Sequence, residues 1–235
     1  MTTTRTANFT SSQIYRLMGS DAVMKTYIEE KRMEQRLGRQ LEQDKSSSSA
    51  MWGTWLQHRV TNVLLPMDCK PTKNIRRVHS IIPNWTGAED YLRTDKAGEI
   101  KCYELKKFCK AHDAATTGWE TLKKVCPDIA WQIVSHVILS DKGVAELTLY
   151  VPYRKELSII KDKDEWINVL TPEQFEDREF QYWISRLGFA SDHELPYLLE
   201  GNYYPNLSSF TFEITDEDRL ALTNRVLIAV KELTK

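Results

Sequence analysis

The residues best placed to do chemistry in this chain are Asp90 and the triplet Glu99-Ile100-Lys101. Gly87 to Leu92 and Glu99 to Tyr103 read as two short extended runs. The turn Asp95-Lys96-Ala97-Gly98 between them predicts a β-hairpin. Side chains alternate along a strand, so Glu99 and Lys101 share a face while Ile100 points into the core. Asp90 on the partner strand can approach Glu99. Two carboxylates form a hard-oxygen site suited to Mg²⁺, the Ile100 carbonyl can add a third ligand, and Lys101 can hold or deprotonate a neighbouring water. That set suits hydrolysis of a phosphodiester. The alternative is a solvated hairpin, because charged residues make up 28% of the chain and a Glu-x-Lys recurs by chance.

These residues need elements to position them. Thr10-Ser11-Ser12 caps a short helix from Gln13 to Met18. Residues 21–43 read as a long exposed helix, interrupted near Gly38, and Asp44 to Ser49 as a polar loop. Ala50 to Leu65, with Trp52, Trp55, Val60, Val63 and Leu64 at helical spacing, predicts a buried helix ending at Pro66. Strands are expected over 76–82, 85–92 and 99–105, a helix over 114–125, and an apolar helix opened by Pro127. That helix stops at Asp141-Lys142-Gly143 and is followed by a strand from Val144 to Val151. Further on, a helix is expected over 173–187, a loop over 202–209, a strand from Phe210 to Ile214 and a closing helix from Asp216 to Leu233.

The 235 residues, 41% hydrophobic with seven Trp, support one α/β domain. Its core is expected over about residues 50–151, with N-terminal helices over 10–43 and a helical extension over 152–235. A net charge of −1 excludes a globally basic nucleic-acid binder. DNA contact would need a local patch, for which Lys101, Lys106, Lys107, Lys110, Lys123 and Lys124 are candidates; an ordinary solvated face is the alternative. Cys69, Cys102, Cys109 and Cys126 form no C-x-x-C pair, which argues against a zinc ribbon and gives an iron–sulfur cluster little support. No apolar run of about 18 residues is present and the N-terminus lacks a signal-peptide core, so a cytoplasmic protein without a membrane span is expected.

Two polar positions interrupt the apolar helix after Pro127. Gln132 and His136 are four apart and share a face, so each needs a partner. Gln132 either bonds a nearby backbone group or looks toward Asp90 and Glu99. Gln57, one turn after Gly53, could face the same site, while His58 reads as structural.

Taken in order, these parts resemble the PD-(D/E)XK nuclease superfamily, and within it the phage lambda-type (YqaJ-like) recombination exonucleases. The resemblance spans roughly residues 5 to 151. Arg5 and Thr10-Ser11-Ser12 match an early Arg and Thr-x-Ser. Trp52-Gly53-Thr54-Trp55-Leu56-Gln57 matches a Trp-Gly-x-x-x-Glu helix. Glu89-Asp90 stands for Pro-Asp, Glu99-Ile100-Lys101-Cys102 for Glu-x-Lys-Cys, and Gln132 for a glutamine on a later aromatic helix.

The resemblance implies a restriction-endonuclease-like core, a central mixed sheet flanked by helices, and a Mg²⁺-dependent DNA nuclease in which Mn²⁺ can substitute. Asp90, Glu99 and the Ile100 carbonyl would bind metal, Lys101 would act on the attacking water and Gln132 would support the site. Arg5 and Ser12 would hold a terminal phosphate, with Gln57, Lys106 and Lys107 near the DNA. It further implies a ring-shaped homo-oligomer and a single-strand annealing recombinase as partner. Gln57 in place of glutamate removes one expected carboxylate, and Glu89 in place of proline should face away from the metal. A structure- or site-specific endonuclease on the same core, or a catalytically degenerate DNA-binding module, are the competing expectations.

Overall fold

The computed structural model describes residues 7–41, 48–72 and 75–235. After strand β1 (Phe9–Thr10) comes a 3-10 helix, Ser11–Met18, and then helix α1 (Asp21–Leu37). The Ser20 hydroxyl caps α1 by accepting from the Val23 N–H, and Gly38, at φ 64°, ends it in the left-handed region that favours glycine. The helix expected over 21–43 therefore stops at Leu37. Helix α2 (Ser48–Arg59) runs into a π-helical turn, Val60–Leu64, before Pro66. Its first turn takes in Ser48 and Ser49, which were expected in a loop.

The strands β2 (Lys70–Pro71), β3 (Arg77–Val78), β4 (Trp85–Gly87), β5 (Tyr91–Leu92) and β6 (Lys96–Cys102) precede helices α3 (Leu105–Thr117), α4 (Trp119–Val125) and α5 (Pro127–Ser140). Strand β7 (Val144–Tyr150) leads to helices α6 (Leu157–Lys161), α7 (Pro172–Phe175) and α8 (Arg178–Phe189). Strand β8 (Leu207–Glu213) and helix α9 (Asp216–Leu233) close the chain.

The main sheet has the order β2-β5-β6-β7-β8; only β6 and β7 run parallel. Parallel neighbours need a long crossover, which α3, α4 and α5 supply. A small second sheet, β1-β4-β3, lies beside the 3-10 helix. Alternation sorts the main sheet's side chains onto two covered faces. Ala97, Ala145, Leu147 and Leu149 join the core formed by the 3-10 helix, α1, α5 and α9, while Tyr91, Ile100, Cys102 and Tyr150 join that of α2, α6 and α8. This is the α/β architecture expected, a central mixed sheet flanked by helices.

Several boundaries differ from the sequence reading. The expected strand over 76–82 shrinks to two residues. That over 85–92 divides into β4 and β5, which belong to different sheets. Strand β6 starts at Lys96, so the hairpin turn falls at Arg93–Asp95, closed by the Arg93 N–H donating to the Lys96 carbonyl. Gly98 is thus a strand residue. A Cβ there would lie 2.2 Å from the Tyr91 ring, so its glycine serves a close cross-strand approach rather than a turn. The helix expected over 114–125 is two helices broken at Gly118 (φ 127°), and that over 173–187 breaks where Asp177 caps α8. Residues 207–209, expected in a loop, lie within β8. The segment 152–235, expected as a helical extension, therefore also supplies an edge strand to the main sheet.

Candidate active site

The hairpin register decides which side chains meet. Tyr91 pairs with Gly98, so Asp90 falls opposite Glu99, and the Asp90 N–H donates to the Gly98 carbonyl at 3.0 Å. Asp90 Oδ2 accepts from the Ile100 N–H at 2.6 Å. In an extended strand the carbonyl of a residue points to the same side as its N–H, so the Ile100 carbonyl also looks toward the Asp90 side.

Glu99 and Lys101 occupy the face of β6 that meets α5. Gln132 Nε2 donates to Glu99 Oε1 at 2.7 Å; Lys101 Nζ lies 2.6 Å from the same oxygen and donates to Gln132 Oε1 at 2.9 Å. The three groups form a closed ring of hydrogen bonds. One turn along α5, His136 Nδ1 lies 3.1 Å from Glu99 Oε2 but out of line for a hydrogen bond, so that oxygen and both imidazole nitrogens have no aligned partner. Glu99, Gln132 and His136 are buried; Lys101 and Asp90 are partly so.

The electrostatics are unbalanced. Burial pushes the Asp90 pKa well up and the charge of Glu99 adds to it, against the Ile100 N–H, Lys101 and a hydrogen bond from Gln57. Burial also opposes the charge on Glu99, but Lys101 and His136 outweigh it and hold that carboxyl below the usual range. Burial would lower the Lys101 pKa; Glu99 reverses this and raises it. Two facing carboxylates thus share one firmly held ammonium. A buried carboxylate oxygen without a donor, beside a second carboxylate disfavoured by repulsion, fits a divalent cation with oxygen ligands. Among the described residues no cluster of three or more His, Cys, Asp or Glu that could hold a metal is present, so side chains would offer a cation here two carboxylates.

The other residues named from the sequence divide. Ser12 lies, with Gln132 and His136, on the wall of a polar cavity of about 580 Å³. Gln57 on α2 reaches Asp90. Lys106 is exposed at the start of α3, whereas Lys107 is held by Asp128 at 3.0 Å and lies over the Tyr103 ring. Glu89 is buried and turned to Arg77, 2.7 Å away, not toward Glu99. Arg5 lies outside the described residues.

Sequence reasoning missed Arg16 and Arg76, which also line the cavity. Arg16 follows Ser12 by four residues, a legible spacing, but its bidentate partner Glu30 (2.5 and 2.7 Å) comes from α1. Ser11, expected at the cap of a helix starting at Gln13, lies inside the 3-10 helix, which has no side-chain cap; its hydroxyl bonds that of Ser135 at 2.7 Å and ties the 3-10 helix to α5.

No family model and no curated protein matches the chain. Solved structures do. LHK-Exo, determined in complex with dAMP, superposes with a TM-score of 0.61 at 15% identity over 98% of this chain and 89% of that one. The alkaline exonuclease LHK-Exo from Laribacter hongkongensis gives 0.58 at 14% identity over the same shares. A phage-related exonuclease from Haemophilus somnus 129PT gives 0.59 at 16% identity over 96% and 93%. The chain has a phage-type exonuclease fold. The likeness covers nearly the whole chain, so the central sheet with its flanking helices and the elements after residue 151 both belong to the shared architecture. Among the described residues no helix is long and apolar enough to cross a membrane.

Proposed function

We propose that this chain is a divalent-metal-dependent deoxyribonuclease that digests linear duplex DNA from its ends. One observation carries the reading: Asp90 and Glu99 face each other across a hairpin with Lys101 beside them, and Lys101 and Gln132 lock onto the same Glu99 oxygen. The fold shared with exonucleases supports the choice of substrate.

Asp90, Glu99 and the Ile100 carbonyl would hold Mg²⁺, with Mn²⁺ able to replace it. When bound, the ion supplies Lewis acidity at the phosphoryl oxygen and lowers the pKa of its water. Gln132 fixes the carboxylate plane of Glu99 and presents its carbonyl to Lys101. An ammonium has three donors; two of those on Lys101 are used by Glu99 and Gln132. The third can meet a phosphate oxygen and stabilise the charge that builds there as water attacks in line with the leaving oxygen. Ser12, at the cavity wall beside Gln132, is positioned for a terminal phosphate, as is Arg5 by the family resemblance. Phosphate contacts of this kind hold a strand without reading its sequence.

The test is incubation with linear and covalently closed circular duplex, with and without Mg²⁺, resolved on a gel. Digestion of the linear form alone, only with metal, is expected. Cutting of the circle would replace the exonuclease reading with an endonuclease, and absence of cutting under all conditions would leave a DNA-binding module.

A further inference from the structure

Away from Asp90 and Glu99, a groove of about 1030 Å³ runs between the first turns of α2 and α3 and the outer face of α8. Trp52 and Leu187 form part of its buried apolar floor. Its rim carries Tyr182, 55% exposed, and Phe189, 90% exposed. Together with Arg186 these lie at i, i+4 and i+7, one face of α8. Lys106 stands at the groove from α3. Among the described residues neither Lys106 nor Arg186 forms an ion pair; Arg186 donates only to the Tyr182 hydroxyl, at 3.0 Å. The groove's carboxylates are already engaged, Glu104 by the Ser49 hydroxyl and Glu194 by the Ser191 N–H.

A single exposed ring needs no explanation, but two on one helix face beside an apolar groove form a patch of the kind that marks an interaction surface. Exposed rings interleaved with free cations are what unpaired nucleic acid requires: bases stack on the rings and phosphates meet the cations. The groove and the candidate active site draw on neighbouring parts of the chain. Gln57 at the site and Trp52 in the groove are five residues apart on α2, about 7.5 Å along the helix. The start of α3 follows directly on β6, which carries Glu99 and Lys101.

We propose that this groove binds single-stranded DNA, its bases stacked on Tyr182 and Phe189 and its phosphates against Lys106 and Arg186. The naming of DNA as the polymer rests on the nuclease reading; the groove itself is a separate surface.

The experiment is fluorescence anisotropy of a fluorescein-labelled oligothymidylate with the full chain in EDTA, so that no cleavage occurs. Wild type is compared with Phe189→Ala, Tyr182→Ala and Arg186→Ala, whose folding is checked by thermal melts. Each ring is expected to cost about fivefold or more in affinity. Arg186→Ala is expected to weaken binding and flatten its salt dependence. Unchanged affinity in all three variants overturns the proposal. So does a shift in sedimentation without a change in oligonucleotide binding, which would make the groove a contact between copies of the chain. A Glu99→Gln protein separates the two readings: oligonucleotide binding that is lost in the groove variants and intact in Glu99→Gln supports the groove even if the wild type cuts nothing.

Discussion

Glu99 and Glu146 lie on adjacent strands, and both are almost wholly buried. Both carboxyls are held below the usual range, but by different surroundings. Glu146 is surrounded by donors: Lys96 at 3.0 Å, the Tyr91 hydroxyl at 3.0 Å and Arg93 at 3.2 Å. Burial opposes its charge, but those hydrogen bonds outweigh it and hold its pKa below the usual carboxylate range. Glu99 has one ammonium and one amide on a single oxygen, leaves its other oxygen without an aligned donor, and faces a second carboxylate. Burying a carboxylate therefore does not mark a site. What sets Glu99 apart is the facing Asp90, whose charge burial and Glu99 together disfavour; Glu146 has only donors around it.

The largest effect that tests this contrast is on cleavage. Glu99→Gln, isosteric and still able to hydrogen-bond, is expected to lower the rate on linear duplex by about 10³-fold or more while the protein stays folded. Glu146→Gln is expected to do the reverse, leaving the rate within a few-fold and costing about 1–3 kcal/mol of stability by urea denaturation. Full activity in Glu99→Gln, or an inactive but equally stable Glu146→Gln, would invert the assignment.

This contrast also shows what a sequence can and cannot carry. Asp90, Glu99, Lys101 and Gln132 were legible because strand alternation and helical spacing are local rules; the hairpin register sets Asp90 opposite Glu99, and the packing of α5 on β6 brings Gln132 to Glu99 and Lys101. Glu99 and Glu146 could not be ranked, because the difference lies in partners from other strands. Gly98 misled for a related reason: it looks like a turn glycine, yet the ring of Tyr91 is what excludes a side chain there. Strand β8 was half-hidden because Leu207-Ser208-Ser209 has the composition of a loop and is ordered by pairing with Leu149 and Tyr150 of β7. The polar cavity was invisible, since its walls come from the 3-10 helix, α1, β4 and α5.

A second, smaller effect concerns metal. If the open charge at Asp90 and Glu99 is the binding site, Mn²⁺ should stabilise the folded protein without any DNA present. At a free concentration one hundred times Kd the gain is about 2.7 kcal/mol, a rise in Tm of roughly 5–10 °C for a chain of this size. Differential scanning calorimetry should show the rise in wild type and in Glu146→Gln and show none in Glu99→Gln or Asp90→Asn. An equal rise in all four proteins would place the ion elsewhere.

The smallest effect sharpens the closed side of the comparison. Because the folded-state pKa of Glu146 lies below its unfolded value, its stabilising contribution is complete above the ordinary glutamate range, near pH 4.3. It is lost as pH falls from there through the depressed folded value, where the carboxyl takes up a proton and its hydrogen bonds to Lys96 and Arg93 lose their charge. A glutamine at this position has no such transition. Melting curves of wild type and Glu146→Gln should therefore stand apart, by about 1 kcal/mol after solvent screening, at pH 6, and should converge on acidification. Curves that stay parallel down to about pH 3 would mean that the network around Glu146 holds its shape by packing rather than by charge, and the distinction between the two buried glutamates would then rest on the open oxygen of Glu99 alone.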